Sequence, residues 1–114
     1  MREVYGDKSK LIDSLVTRYH KMGLRVVNRQ AFIDRAKIDF KLVAKANVNK
    51  LKSIETSTLL VWGAKDTKIP LDNGKRMDRI LPNSKLVVLE NSGHVLMEEN
   101  PEESFPVLNL FLND

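Results

Sequence analysis

Two short apolar runs, Thr58-Leu59-Leu60-Val61-Trp62 and Lys85-Leu86-Val87-Val88-Leu89-Glu90, constrain this chain more than any other feature. The first is continuous and bounded by polar residues, the pattern of a parallel strand covered on both faces. Strands are therefore expected at about 58–63 and 85–90. Between them Pro70 can open a helix that runs to about Leu81 with Met77, Ile80 and Leu81 inward, and Leu81-Pro82-Asn83 stops it. A strand, a helix and a strand joined by short loops make a right-handed crossover with parallel strands, so the class is α/β. Pro101 starts a last helix whose Phe105, Leu108, Phe111 and Leu112 should cover the sheet, while Pro106 should kink that helix or delay its start.

Upstream the period is helical. Leu11, Ile12, Leu15, Val16, Tyr19 and Met22 form one apolar stripe, which predicts a helix over 8–22 with Gly23 suited to end it. Asn28 is a good N-cap for a second helix over 29–44 that carries Phe32, Ile33, Ala36, Phe40 and Val43 on one side. Lys45 to Ser57, rich in Lys, Asn and Ser, reads as the connection to the sheet and as the seam between a part at 1–52 and a part at 53–114. Two strands alone make a marginal sheet, and the apolar edge at Leu59 to Trp62 needs a further strand from somewhere.

At 114 residues the chain fits one small domain or part of a larger one. Its net charge of +4 divides unevenly: residues 1–52 carry 13 Lys/Arg against 5 Asp/Glu, and residues 53–114 carry 6 against 10. A basic first half could face phosphate, but Lys8, Lys10, Lys21, Lys37, Lys41 and Lys45 fit the wet faces of helices, so no nucleic-acid partner is expected. The absence of cysteine removes disulfides and thiolate metal sites. The first residues lack an apolar signal core and no run approaches the roughly 20 residues that span a bilayer, so a cytoplasmic location without membrane attachment is expected.

The chemistry lies just past the two strands. Asp66 follows Gly63 by three residues and His94 follows Glu90 by four, so both loops leave the carboxyl ends of the strands, where open parallel sheets bind ligands. Neighbouring strands lie about 4.8 Å apart, which puts a carboxylate and an imidazole within hydrogen-bond reach. In such a pair the carboxylate fixes the imidazole tautomer and stabilises the imidazolium formed on proton uptake. No serine lies in a Gly-Xaa-Ser-Xaa-Gly elbow; Ser92, beside Gly93, lacks the strand-turn-helix context of a nucleophile.

Taken one at a time, these residues have plainer readings. Asp66 alone is a turn former in Lys65-Asp66-Thr67-Lys68, and His94 alone is a polar loop residue. Trp62 reads as core that could also border a pocket, His20 as a surface residue without a second metal ligand, and Lys65 and Lys68 as solvated loop lysines. Glu98, Glu99, Glu102 and Glu103 suit the start of a helix through its dipole. No metal or cofactor is therefore expected.

Leu59-Leu60-Val61-Trp62-Gly63-Ala64-Lys65-Asp66 with Ile69-Pro70, and Gly93-His94 with Glu99-Asn100-Pro101 and Leu110-Phe111-Leu112, resemble the C-terminal half of the α/β-hydrolase family. Val4-Tyr5-Gly6-Asp7, Ser9-Lys10-Leu11 and Asn28-Arg29-Gln30-Ala31-Phe32 look like the helical lid segments that precede that half in lipase-like and epoxide-hydrolase-like members. The resemblance implies a partial α/β-hydrolase fold, with a lid-derived segment at 1–52 and a β-α-β-α part at 53–114. It implies that Asp66 is the catalytic acid and His94 the catalytic base, while the nucleophile and oxyanion hole lie in a half that is absent here. Ser57 replaces the family's usual Pro before the acid-bearing strand, and Pro106 is a second small departure.

Two functions follow as expectations. In one the chain is a piece of an ester-type hydrolase, inactive alone and completed by a nucleophile-bearing N-terminal half acting on a small molecule. In the other it is a non-catalytic remnant that forms a homo-oligomer, a dimer paired through the exposed strand edge.

Overall fold

The computed structural model describes residues 3–37 and 48–113. Among these, two helices are followed by a β-α-β unit and two closing helices: α1 (Asp13–Leu24), α2 (Val26–Ala36), β1 (Thr58–Gly63), α3 (Leu71–Ile80), β2 (Ser84–Leu89), α4 (Leu96–Glu99) and α5 (Pro101–Asn113). The strands pair in parallel from Thr58↔Ser84 to Gly63↔Leu89. Backbone bonds continue the ladder at both ends, from the Thr58 amide to the Asn83 carbonyl at 2.9 Å and from the Ala64 amide to the Leu89 carbonyl at 3.0 Å. The register places the ends of both strands, and so the Asp66 and His94 loops, at one rim.

The crossover helix is α3, with Pro70 at its N-cap, and it packs on both strands, as does α5. Gly74 lets α3 approach Trp62: a Cβ there would meet the indole ring at 2.8 Å. The indole N–H is satisfied by the Ile69 carbonyl at 2.9 Å. The buried apolar core comprises Leu60, Leu81, Leu89, Leu96 and, from the other end of the chain, Tyr5.

The upstream helices differ from the sequence expectation in instructive ways. In place of a helix over 8–22, a 3-10 turn at Lys8–Lys10 is capped by the Asp7 carboxylate, the backbone is extended at Leu11 and Ile12, and α1 begins at Asp13. The break has a tertiary cause: the Lys10 ammonium bonds the Asn100 side-chain carbonyl, which holds this turn against the far end of the chain. Asn28 is not an N-cap. It lies inside α2 and its side-chain amide donates to the Met22 carbonyl at 2.7 Å, a second donor to an acceptor in the last turn of α1 that also takes the Arg25 amide. The expected continuation of α2 through Phe40 and Val43 falls outside the described residues, and residues 48–52 are helical where a plain connection was expected.

The last helix begins at Pro101 and runs on through Pro106 to Asn113. Ser104 is buried and Val107 and Phe111 are half-buried, a three- and four-residue spacing that marks the face in contact with the strands. Phe105 and Leu112, expected to cover the sheet, instead stand 67% and 77% exposed on other faces. No helix among the described residues is long and apolar enough to cross a membrane.

Candidate active site

The Asp66 loop is a compact turn built on its own side chain. One carboxylate oxygen, Oδ1, accepts from the Lys68 amide at 2.8 Å and the Ile69 amide at 2.9 Å, and the other, Oδ2, lies 2.9 Å from His94 Nδ1. The turn-forming and imidazole-pairing readings of Asp66 are thus both satisfied, one by each oxygen. The Asp66 side chain is 6% exposed and that of His94 37%. Burial pushes the Asp66 carboxyl upward, but the Ile69 amide, the His94 ring and the Lys68 amide outweigh it and hold the group below the usual carboxylate range. An ionised Asp66 can only accept, so Nδ1 carries the hydrogen and Nε2 is the nitrogen left to exchange a proton.

His94 is held by its backbone. Its amide donates to the Val4 carbonyl at 2.7 Å, the preceding Gly93 amide donates to Glu99 Oε2 at 2.7 Å, and the Lys65 amide donates to the Ser92 carbonyl at 2.9 Å, tying the two loops together. Glycine is required twice at this junction. A Cβ on Gly63 would fall on the Ser92 and Gly93 carbonyl oxygens, and one on Gly93 would fall on the Gly6 amide nitrogen and on the Val4 carbonyl oxygen. Ser92 is fully buried and its hydroxyl accepts from the Asn100 side-chain amide at 2.7 Å, so it is a packing element of this loop.

Trp62, Val61, Gly63 and Ile69 join Asp66, His94 and Leu96 around an open cavity of about 170 Å³. Trp62 therefore packs on α3 and borders the cavity at once. His20 is exposed on α1 and does not line this cavity. Lys65 and Lys68 turn to Asn91 and Glu3 rather than to the Asp66 carboxylate. Among the described residues, no group of three His, Asp or Glu side chains is placed to hold a metal ion.

The acidic residues do lie in first helical turns, Glu98 and Glu99 in that of the short α4 and Glu102 and Glu103 in that of α5. Glu98 and Glu99 have specific donors besides. Glu98 accepts from the Tyr5 hydroxyl at 3.0 Å and the Tyr19 hydroxyl at 2.8 Å, and pairs with Arg18, fastening α1 to the segment behind His94. Burial and the Glu98 carboxylate push the Tyr5 hydroxyl up to about 12. Glu99 is 1% exposed and Asn100 2% exposed, burial that a polar Glu-Asn-Pro stretch does not announce.

A family model described as alpha/beta hydrolase fold matches residues 8–101, most of the chain. The chain belongs to the α/β-hydrolase family. Over 99 residues it is 31% identical to the uncharacterized hydrolase YugF of Bacillus subtilis, a match that takes in 87% of this chain and 35% of that protein. Over 54 residues it is 41% identical to 2-hydroxy-6-oxononadienedioate/2-hydroxy-6-oxononatrienedioate hydrolase 2 of Pseudomonas putida, covering 47% of this chain and 19% of the relative. The chain thus spans about a third of the length of the first relative and less of the second. Its fold is that of a crystallised meta-cleavage product hydrolase, CumD, at a TM-score of 0.83 and 18% identity, over 97% of this chain and 42% of that one. The two-stranded parallel sheet with its helices is a partial α/β-hydrolase fold.

Proposed function

We propose that this chain supplies the acid and the base of an α/β-hydrolase active site whose nucleophile comes from a segment it does not contain. The observation that carries this reading is the 2.9 Å contact between Asp66 Oδ2 and His94 Nδ1 at the rim where both strands end. In the proposed reaction a hydroxyl nucleophile attacks the carbonyl carbon of an ester-type substrate while His94 Nε2 takes its proton. Asp66 stabilises the imidazolium, which then protonates the departing alkoxide as the tetrahedral intermediate collapses; a water activated by the same nitrogen releases the acid. Residues 1–52 act as the lid-derived part and 53–114 as the core part. With no elbow serine in its sequence, the chain alone is inactive.

The test combines the chain with a nucleophile-bearing N-terminal portion of a family member. Activated esters and 2-hydroxy-6-oxononadienedioate are assayed, the latter because the Pseudomonas relative is named for that compound. Turnover is expected only in the combination, with a loss of about 10³-fold or more on His94→Ala. Turnover indifferent to that replacement would remove His94 from the mechanism.

A second reading rests on a different observation: among the described residues the sheet has only two strands, so each keeps one unpaired edge. We propose in this case a non-catalytic homodimer joined strand to strand. Sedimentation equilibrium at micromolar concentration tests the edge pairing, since a well-folded monomer would exclude it, whereas a dimer is compatible with either reading.

A further inference from the structure

Glu99 belongs to no catalytic pair, yet its carboxylate is among the most deeply buried side chains described, at 1% exposure. Its two oxygens are divided between two backbone amides distant in sequence: Oε1 accepts from Asp7 at 2.6 Å and Oε2 from Gly93 at 2.7 Å. No cation pairs with it among the described residues. A carboxylate taken out of water is retained only where donors replace its hydration, and here both donors are main-chain groups of the two segments that frame His94. The segment at 4–7 presents the Val4 carbonyl to the His94 amide, and Gly93 is the residue directly before His94.

We propose that Glu99 is the positioning residue of the imidazole: by holding the Gly93 and Asp7 amides it fixes the backbone of residue 94, and through it the approach of Nδ1 to Asp66. This rests on the proposed role of the Asp66–His94 pair and extends it to a residue that touches neither the reacting atoms nor the ring. Side-chain packing alone would not demand an anion here. A Gln of the same shape can accept only one amide and presents its own NH2 to the other, a clash of donors in a dry site. An Asp keeps both acceptors but is shorter by one methylene, so it restores the chemistry at some cost in reach.

The test reads the ring directly on the full chain by NMR. The sequence holds only two histidines, so His20→Gln assigns the His94 signals without touching the site. In the parent chain the Nδ1 proton of His94 is expected as a slowly exchanging downfield resonance, and the Gly93 amide as strongly protected. In a folded Glu99→Gln chain that resonance should be lost, or exchange about tenfold faster or more, as loss of one charge-assisted bond implies. Glu99→Asp should recover part of it. A folded Glu99→Gln chain with an unchanged His94 proton would overturn the positioning role while leaving the acid–base pair intact. Should neither variant fold, the parent decides: a Gly93 amide that exchanges as freely as an exposed one sinks the proposal, and a strongly protected one together with a slowly exchanging Nδ1 proton upholds it. If the parent shows no Nδ1 proton although Gly93 is protected, the acid–base pair itself fails and takes the Glu99 inference with it.

Discussion

The β-α-β unit and the helical hairpin α1–α2 are built from equally apolar sequence and end in opposite states. Leu60, Leu81 and Leu89 are buried in the first, whereas α1 and α2 contain no buried residue. Phe32, on the predicted inner stripe of the second helix, is 79% exposed. Periodicity tells which face of a helix seeks cover, and only packing partners within the chain provide it. The radius of gyration, 16.2 Å, expresses the same division, against roughly 13 Å for a compact domain of this length. Among the described residues α1 is fastened to α4 by polar links, Tyr19 and Arg18 to Glu98, and it adds no buried side chain to the apolar core.

The largest expected effect tests how rigid the site region is. Gly63→Ala places a methyl on the Ser92 and Gly93 carbonyl oxygens, backbone atoms of the His94 loop that cannot swing aside as a side chain would. Destabilisation of about 3 kcal/mol or more is expected in urea unfolding, with the His94 loop the first to lose protection from hydrogen exchange. A loss below about 1 kcal/mol would mean that the two loops are not locked together.

Next comes a matched pair of truncations. Leu60→Ala empties a buried site in β1 and should cost about 2–5 kcal/mol, whereas Phe32→Ala removes a larger side chain from an exposed face and should change stability by no more than about 0.5 kcal/mol. Comparable losses would show that α2 is covered in solution, as a strand-paired or helix-paired dimer could allow, and the loss for Phe32→Ala should then depend on protein concentration.

Asp66→Asn probes the site by pH. Because the folded carboxyl is held below its ordinary value, its contribution is present above the unfolded value and disappears as pH falls through the folded one. The parent chain should exceed the variant in stability by about 1 kcal/mol at neutral pH, with the gap closing as pH falls below about 4. A gap that widened on acidification would mean that the Asp66 carboxyl titrates above its ordinary value. At neutral pH the Asn amide should also donate to Nδ1 and move the hydrogen to Nε2, visible in the ring nitrogen shifts.

How much of this was legible depends on the range of the interaction. β1, β2, the crossover helix and the shared rim followed from short apolar runs and Pro70, because a parallel crossover admits few arrangements. The Asp66 and His94 contact was readable for the same reason: each residue's place is fixed by its distance from a strand end. The role of Glu99 was not readable, since its partners are backbone amides at residues 7 and 93 and leave no trace in side-chain chemistry. Lys8–Lys10 became a separate turn because Asn100, 90 positions from Lys10, holds it, a contact that no helical period encodes. The faces of α5 were misassigned because Phe105, Leu108, Leu110 and Leu112 are apolar nearly all round, so spacing could not select the side that meets the strands.

The smallest effect is a reversal of sign at another glycine. Gly23 lies in the last turn of α1, and a Cβ built there meets nothing within 4 Å. None of the described glycines has a positive φ, so alanine fits the backbone as it stands. Gly23→Ala should therefore stabilise, through helix propensity and a less flexible unfolded chain, by about 0.5–1 kcal/mol if α1 melts together with the rest. The same replacement that breaks the loop at Gly63 would then strengthen the hairpin. If the hairpin frays on its own, the global unfolding midpoint will not move, and only the α1 amides will gain protection, by about two- to fivefold. Either gain fits an α1 whose Gly23 face is open, and the choice between them reports whether the polar links through Glu98 make the two regions one cooperative unit. A loss of stability would show that the Gly23 face is covered in solution.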